Sequence, residues 1–317
     1  MLLTTTQRSP LISVVLTTFN HGQLVVDAVR SVLAQTIPPH EIIVVDDGSS
    51  DGTAHRLAGE FGSQIRCIFQ PNAGIAGARN RGVREASGDL IALMDGDDLW
   101  HVRKLEIQGR AFGDHPESGL VAVQVHLFNE DVPNLTAHVI DPPTVATSHR
   151  FYELLAGNFL ATTTQVAIPK AVLDAVGPSD TRYALCSDYD LYLRIALDYP
   201  ITFVDVPLAF WRCHDKSASG PAAKRSLTWG PEMLKVLEAA KTRSDGPIRK
   251  ACAHSLRRRV REVGWIASDY GTNFDRREGL RVLRSLLKTY PFQPKLWAYL
   301  LSLSLSGGVK SPGRTRS

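Results

Sequence analysis

Residues 90–100 read LIALMDGDDLW. The first five, Leu90–Met94, form a short apolar run of the kind that builds a strand buried in a sheet. The run stops at Asp95-Gly96-Asp97-Asp98, where three carboxylates within four residues repel one another. A strand end tolerates such crowding when a divalent cation binds there, because Mg²⁺ and Mn²⁺ take oxygen ligands and bridge to substrate phosphates. The alternative interpretation is a solvated acidic turn.

The same pattern of apolar strand and polar stop occurs twice upstream. LISVVL at 11–16 runs into TTFN, and HEIIVV at 40–45 runs into DDGSSDGT. Helical spacing at 24–35 and 77–86 separates these runs, and a short third strand is expected at 65–70. This alternation predicts right-handed βαβ crossovers and an α/β fold with a mostly parallel central sheet flanked by helices. In such sheets ligands bind at the carboxyl ends of the strands, so the polar stops should converge on one crevice.

Beyond Trp100 the alternation loosens. A helix is expected over 101–115, followed by extended segments at 120–127 and 202–211 and a helix from about 187 to 197. From about residue 225 onward the spacing of apolar residues is helical throughout. Within this part, FDRREGLRVLRSLLKTYPFQPKLWAYLL (274–301) resembles one helix-turn-helix unit of the tetratricopeptide kind.

Charge divides the chain into two parts. Residues 1–220 contain 16 Lys/Arg and 25 Asp/Glu, whereas residues 221–317 contain 20 and 7. We therefore expect a first domain at 1–220, with halves at about 11–100 and 101–215, and a basic α-helical C-terminal extension at 221–317. The extension is interpreted first as a packing appendage with a solvated face. Shielding of the sheet, a homodimer contact, and contact of Arg257, Arg258 and Arg259 with anionic lipid are the alternatives, and no nucleic-acid partner is expected.

The apolar runs also bear on localisation. The run at 11–16 is too short for the core of a signal peptide, and the stretch at 296–305 is far short of a bilayer span. We expect no transmembrane helix and no export. The expected location is the cytoplasm, including its membrane-peripheral zone at the inner face.

Six motifs follow one another between residues 12 and 214. They are ISVVLTTFNHG (12–22), EIIVVDDGSSDGT (41–53), NAGIAGARNRGVREASGD (72–89), LIALMDGDDLW (90–100), SDYDLYLRIA (187–196) and PLAFWRCH (207–214). Together they resemble the family 2 glycosyltransferases of the GT-A fold. The resemblance covers roughly residues 11–215 and keeps the family's order and spacing, so it is more specific than any single motif.

The resemblance implies an activity. A single sugar would move from a nucleotide-diphosphate-sugar, UDP- or dTDP-linked, to an acceptor hydroxyl with inversion, in the synthesis of cell-surface glycans. The implied cofactor is Mn²⁺ or Mg²⁺, and the implied acceptor is a glycan, a lipid-linked sugar or a protein. The first domain would have the GT-A fold, with the nucleotide-binding half at about 11–100 and the acceptor half at about 101–215.

The resemblance also implies roles for individual residues. Asp188, in SDYD, is the implied catalytic base, Asp97 the direct metal ligand, and His214 a residue near the metal or the diphosphate. The implied donor-binding residues are Thr17, Phe19, Asp47, Arg79 and Asp95. General chemistry agrees with these roles, because a cation neutralises the departing diphosphate and a carboxylate can take the proton of the attacking hydroxyl. One base and one displacement give inversion, with no second carboxylate acting as nucleophile.

Two departures from the family pattern limit what is carried over. Ser187 stands where the family often has Glu, which leaves the class of acceptor open, and no QxxRW-like segment follows. Its absence favours single-sugar transfer over processive synthesis. The alternatives are an inactive nucleotide-sugar-binding or scaffold protein and, ranked lower, a sugar nucleotidyltransferase. The latter would need a basic loop after the first strand, where this chain has TTFNHGQ.

Overall fold

The computed structural model describes residues 10–129, 132–139, 143–214 and 222–305. The described chain forms two compact units, the first of which ends at His214. The boundary predicted at 220/221 falls outside the described residues. Among the described helices, none combines the length and the apolar character needed to cross a bilayer.

The first unit is built on one sheet. In the described residues the strand order is β3-β2-β1-β4-β8-β6-β9-β5, with β7 pairing β9. The strands are β1 Ile12–Thr18, β2 Glu41–Asp46, β3 Arg66–Phe69, β4 Leu90–Asp95, β5 Leu99–Trp100, β6 Leu120–Phe128, β7 Val145–Ser148, β8 Val166–Pro169 and β9 Ile201–Arg212.

The predicted α/β fold is confirmed, but β5, β7 and β8 run antiparallel to their neighbours. The strands β3, β2, β1 and β4 are parallel, as expected for the nucleotide-binding half. The sheet as a whole is mixed rather than mostly parallel, because β8 lies between β4 and β6 and is antiparallel to both. Apolar runs predict burial on both faces but not the direction of the neighbouring strand. The reversal places the start of β8 beside the carboxyl end of β4.

Helices cover the sheet of the first unit. The contact between α3 and the sheet is close at Gly82, where a Cβ atom would lie 2.3 Å from Cγ1 of Val15. The alternation of buried strands and helices follows the apolar spacing of the sequence. The helices are α1 Gln23–Leu33, α2 Thr53–Phe61, α3 Gly74–Glu85, α4 Lys104–Asp114, α5 Phe151–Ala156, α6 Lys170–Val176 and α7 Ser187–Asp198.

The described residues of the second unit form four helices joined by short turns. Its helices are α8 Ala222–Arg243, α9 Gly246–Asn273, α10 Arg276–Thr289 and α11 Pro294–Leu305. The helix-turn-helix predicted at 274–301 is therefore confirmed in α10 and α11. Asp275 caps α10, since its side chain accepts a hydrogen bond from the Glu278 N–H at 3.1 Å.

Candidate functional site

Three parallel strands end side by side at one edge of the sheet. Thr18 of β1 pairs with Asp46 of β2, and Thr17 pairs with Asp95 at the end of β4. The segments that follow these strands therefore meet, as the sequence predicts. Thr17 lies half-buried between β2 and β4 at this edge.

The loops after β1 and β2 are held together by Asn20. Its Oδ1 accepts from the Ser50 N–H at 2.8 Å, and its own N–H donates to Oγ of Ser49 at 2.8 Å. Asn20 has φ of 54°, a left-handed conformation that asparagine tolerates better than most residues. Next to it, Phe19 is 46% exposed. That exposure excludes Phe19 from the core and leaves its ring face open for stacking.

Asp47 is buried, and one of its oxygens binds within the protein. Oδ1 accepts from Nε2 of Gln70 at 2.7 Å and from the Ala73 N–H at 2.8 Å. These bonds fix the loop that leads from β3 into α3. The predicted contact between Asp47 and the base of the donor therefore depends on its second oxygen.

The acidic turn after β4 is organised by a run of threonines. Oγ1 of Thr162 donates to Oδ2 of Asp95 at 3.2 Å, and Oγ1 of Thr163 lies 3.2 and 3.1 Å from its two oxygens. Burial in the crevice raises the pKa of Asp95, the Arg79 charge opposes this, and the Asp97 charge adds to it. One third of the Asp95 side chain stays accessible.

Asp98 is buried, and its side chain is hydrogen-bonded within the protein. It accepts hydrogen bonds from Oγ1 of Thr164 and, at 2.9 Å, from the Arg212 N–H. Arg212 Nε also donates to the Asp97 carbonyl at 2.8 Å. Burial raises the pKa of Asp98 well above its ordinary value. These bonds attach the end of β9 to the acidic turn and so bring His214 to it.

Asp97 faces two imidazoles. Its Oδ2 lies 3.0 Å from Nε2 of His214 and 4.0 Å from Nε2 of His21. Within the described part of the chain, no three His, Cys, Asp or Glu side chains form a cluster that could hold a metal. A Mg²⁺ or Mn²⁺ ion that also binds substrate phosphates needs only one or two carboxylates from the protein. The carboxylate of Asp97, with an imidazole beside it, fits such an ion.

Arg79 crosses the crevice from α3. Its Nη2 donates to Oγ1 of Thr163 at 3.2 Å and lies 3.8 Å from Oδ1 of Asp95. Its Nη1 is buried, and it has no hydrogen-bond partner among the described residues. A buried guanidinium N–H without an acceptor is costly, so Nη1 is a candidate donor to a bound anion.

Asp188 lies in the first turn of α7. Its Oδ1 accepts from the Tyr189 N–H at 2.7 Å. Burial raises the pKa of Asp188 to about 6, although the Arg79 charge lowers it, while the Asp95 charge raises it further. Asp188 therefore feels the same two side chains that meet at the acidic turn. The predicted base therefore lies close enough to Arg79 and Asp95, two of the predicted donor-binding residues, to feel their charges.

Tyr192 was missed by sequence reasoning. It lies one turn after Asp188, is wholly buried, and its hydroxyl has no hydrogen-bond partner among the described residues. Burial raises the pKa of Tyr192 well above its ordinary value, and the Asp188 charge adds to the effect. The four-residue spacing within the predicted helix puts Tyr192 on the same face as Asp188, but it does not show that the hydroxyl is buried.

The threonine turn at 162–165 was also missed, although the sequence contains a signal for it. Thr162 accepts from the Thr164 N–H, and Gln165 Oε1 accepts from the Thr162 N–H, which together form a capping box. The T-x-x-Q spacing is typical of that motif. Trp100 Nε1 anchors the turn from behind by donating to the Thr164 carbonyl at 2.9 Å.

Two residues of α7 have structural roles. Arg194 Nε donates to Oδ2 of Asp190 at 2.9 Å. Its other nitrogens donate to the carbonyls of Val176, Gly177 and Pro178. Arg194, held by Asp190, thereby fixes the loop after α6.

Known proteins resemble this chain in both sequence and fold. The sequence model of glycosyl transferase family 2 matches residues 13–177. An uncharacterized glycosyltransferase of Nostoc sp. is 31% identical over 215 residues, which cover 64% of this chain and 65% of that protein. The chain spans less than two thirds of the length of each of the first relatives it matches.

Two further proteins carry more specific names. One is the Escherichia coli UDP-Glc:alpha-D-GlcNAc-diphosphoundecaprenol beta-1,3-glucosyltransferase WfgD, 38% identical over 31% of this chain and 39% of its own. The other is a mannosyltransferase from Pyrobaculum calidifontis, solved in complex with GDP-Man and Mn²⁺. It superposes with a TM-score of 0.56 at 19% identity, covering 93% of this chain and 86% of its own. At that identity the likeness concerns the fold.

Proposed function

Because the chain belongs to glycosyl transferase family 2, we propose that it transfers a single sugar from a nucleotide-diphosphate-sugar to an acceptor hydroxyl in glycan synthesis. The observation that carries the proposal is that Arg79, Asp95 and Asp97 lie together at the carboxyl ends of the parallel strands, with Asp188 near enough to feel the charges of Arg79 and Asp95. Arg79 lies 3.8 Å from Asp95, and both of their charges act on the pKa of Asp188. The transfer chemistry is assigned to the first unit.

Asp188 acts as the general base in this proposal. Since burial raises its pKa to about 6, the carboxylate is ionised at neutral pH and basic enough to take a proton. The acceptor oxygen bonds to the anomeric carbon as its proton passes to Asp188. The bond from that carbon to the phosphate oxygen breaks, and its electron pair leaves with the nucleoside diphosphate. A single displacement of this kind inverts the anomeric centre.

Arg79 receives part of the charge that the leaving group develops. Its buried Nη1 has no acceptor among the described residues and would donate to a diphosphate oxygen. Thr163 and Asp95 hold the guanidinium from its other side. Thr17, Phe19, Asp47 and Asp95 complete the donor site in this proposal, with Phe19 stacked on the base.

Asp97 and His214 are the residues that would hold Mn²⁺ or Mg²⁺. When bound, such a cation neutralises negative charge on the diphosphate. The fit rests on the oxygen of Asp97 and on the imidazole beside it. The mannosyltransferase whose fold this chain shares was solved with Mn²⁺, which supports the assignment.

The donor is proposed to be UDP- or dTDP-linked and the acceptor to be a lipid-linked sugar. UDP-Glc and a diphosphoundecaprenol acceptor appear in the name of the Escherichia coli relative, whereas GDP-Man is bound to the mannosyltransferase. A thermal-shift screen of UDP, dTDP and GDP with Mn²⁺ tests the donor, because ligand binding raises the melting temperature. We expect UDP or dTDP to stabilise the protein most. A larger shift with GDP would contradict that choice.

A further inference from the structure

Helix α11 carries a stripe of exposed apolar side chains. Trp297, Leu301 and Leu305 follow one another at four-residue spacing and are 49, 58 and 82% exposed. Phe292, in the turn before the helix, is 95% exposed. Together these four residues are called the apolar stripe. Residues four positions apart share one face of a helix, so the stripe is continuous.

The stripe is not the core-facing side of α11. That side contains Leu296 and Leu303, which are buried, and it packs on the glycines of α9. A Cβ atom at Gly264 would lie 2.2 Å from Cδ2 of Leu296, and one at Gly271 would lie 2.5 Å from Cδ2 of Leu303. A helix that is apolar on two faces has more apolar surface than packing within its own unit requires.

Hydrogen bonds hold the stripe in place. Trp297 Nε1 donates to the Pro291 carbonyl at 2.9 Å, which fixes the indole beside the turn that carries Phe292. At the other end, Arg276 Nε donates to the Leu303 carbonyl at 3.0 Å. The stripe therefore has a fixed shape at both ends.

Basic residues flank the turn that carries Phe292. Lys288 lies in the last turn of α10 and Lys295 in the first turn of α11, so both lie next to the turn that carries Phe292. Exposed Arg277 and Arg284 add positive charge along α10, whereas Arg281 is paired with Glu278. The described residues of this unit contain 17 Lys/Arg and 7 Asp/Glu, so its net charge is +10.

We propose that the apolar stripe docks on an anionic lipid surface. Aromatic and leucine side chains next to lysines and arginines are typical of helices that lie in the membrane interface, with the apolar side chains entering the headgroup region. A symmetric contact between two copies would instead bring the two sets of cations together, because such an interface pairs the same patch with itself. Charge complementarity therefore favours anionic lipid.

The proposed lipid contact lies on α11 and not at Arg257, Arg258 and Arg259, the residues that the sequence suggested. Arg259 Nη1 lies 2.6 Å from Glu262 Oε2, and Arg258 Nε lies 3.7 Å from Glu262 Oε1. Two of the three arginines at 257–259 are thus paired within α9. The sequence alone did not show which basic residues would lie beside exposed apolar surface.

Vesicle co-sedimentation of the full chain tests the proposal. We expect binding to vesicles of phosphatidylcholine and phosphatidylglycerol, weaker binding at high salt, and little binding to phosphatidylcholine alone. The double variant Trp297→Ser/Leu301→Ser should lose about tenfold or more in affinity. Lys288→Glu/Lys295→Glu should show a similar loss. Ile37→Ser, which removes an exposed apolar side chain from the first unit, should bind as wild type does.

Several outcomes would overturn the proposal. Equal binding to both vesicle types would exclude recognition of anionic lipid, and unchanged binding of both double variants would exclude the stripe. A wild-type dimer that the Trp297→Ser/Leu301→Ser variant abolishes without lipid would make a second copy the occupant. Circular dichroism melting curves establish that each variant is folded. The same variants should release nucleoside diphosphate as wild type does, because the stripe takes no part in the proposed transfer. Loss of vesicle binding with unchanged release therefore separates the two proposals.

Discussion

Nε2 of His214 lies 3.0 Å from Oδ2 of Asp97, although 117 positions separate the two residues. The approach is built by the sheet, since the backbone N–H of Arg212 donates to Asp98 and the Arg212 side chain donates to the Asp97 carbonyl. The last residues of β9 are thus attached to the acidic turn after β4. This pair is the part of the site to which a divalent cation is assigned.

Removal of the imidazole should weaken cation-dependent nucleotide binding. We expect His214→Ala to lower the affinity for the preferred nucleoside diphosphate with Mn²⁺ by roughly tenfold, as loss of a group beside a metal ligand does. Thermal shift across a nucleotide titration measures the effect. His55→Ala, an exposed position on α2, is the control. A His214→Ala protein that binds nucleotide as tightly as wild type would remove His214 from the site.

The pH dependence of transfer should report Asp188. Because the pKa of Asp188 is about 6, the proportion of ionised base increases as the pH rises through that value. The specificity constant kcat/KM should therefore rise with pH up to about 7 and then level off. Asp188→Asn should lose this limb of the profile. A wild-type profile that is flat between about pH 5 and 7 would contradict the assignment of Asp188 as base.

The same pKa fixes the sign of an effect on stability. A carboxyl whose pKa is higher in the folded protein than its ordinary value of 3.8 favours the folded state less as the pH rises from about 4 to 6. The resulting loss of folding stability is complete above about pH 6. Asp188→Asn removes the charge and keeps an acceptor for the Tyr189 N–H, so the variant should melt above wild type near neutral pH and lose this advantage near pH 4.

Thr163 should position the site without touching the reacting atoms. Its hydroxyl accepts from Arg79 and donates to Asp95, so Thr163→Val removes both bonds and keeps the shape of the side chain. We expect a loss of about tenfold in kcat/KM and a rise in the pKa seen in the pH profile, since a displaced Arg79 would stabilise ionised Asp188 less. Thr147→Val, on β7, is the matched control. A fall in melting temperature with an unchanged pH profile would indicate a role in folding alone.

The packing of α3 on the sheet predicts a contrast between two glycines. A Cβ atom at Gly82 would lie 2.3 Å from Val15 and 3.3 Å from Val45, whereas one at Gly59 would have no neighbour within 4 Å. Gly82→Ala should lower the free energy of unfolding by about 1–3 kcal/mol, which denaturant melts can measure. Gly59→Ala should raise it by roughly 0.5–1 kcal/mol, because alanine favours a helix. Equal stability of both variants would contradict the close contact at Gly82.

The parallel half of the sheet could be predicted because its signals are local. Each of β1, β2 and β4 is a short apolar run with a polar stop, and parallel strands bring those stops together whatever the intervening helices contain. That rule places Thr17, Asp95 and Asp97 at one edge of the sheet, whereas their roles are implied by the family resemblance. The approach of His214 does not follow from it, because that approach depends on the pairing of β9 with strands that lie far away in the chain, such as β5 and β6.

The threonine turn and Tyr192 show what local patterns miss. The hydroxyls of Thr162 and Thr163 reach Asp95 only because β8 enters the sheet in the opposite direction, which no apolar run indicates. Tyr192 occupies an apolar position of α7, and the spacing does not show that its hydroxyl is buried without a hydrogen-bond partner among the described residues. Which polar groups become buried depends on tertiary contacts, so sequence spacing alone does not identify them.

The most direct test of the central claim is the release of nucleoside diphosphate from UDP- and dTDP-sugars with Mn²⁺, measured with and without an acceptor. Asp97→Ala removes the proposed metal ligand and Asp188→Asn the proposed base, and each should lower acceptor-dependent release by about 100-fold or more. Asp174→Asn, an exposed position on α6, should leave it unchanged. If both site variants released nucleoside diphosphate at the wild-type rate, the crevice would not be the place where sugar is transferred.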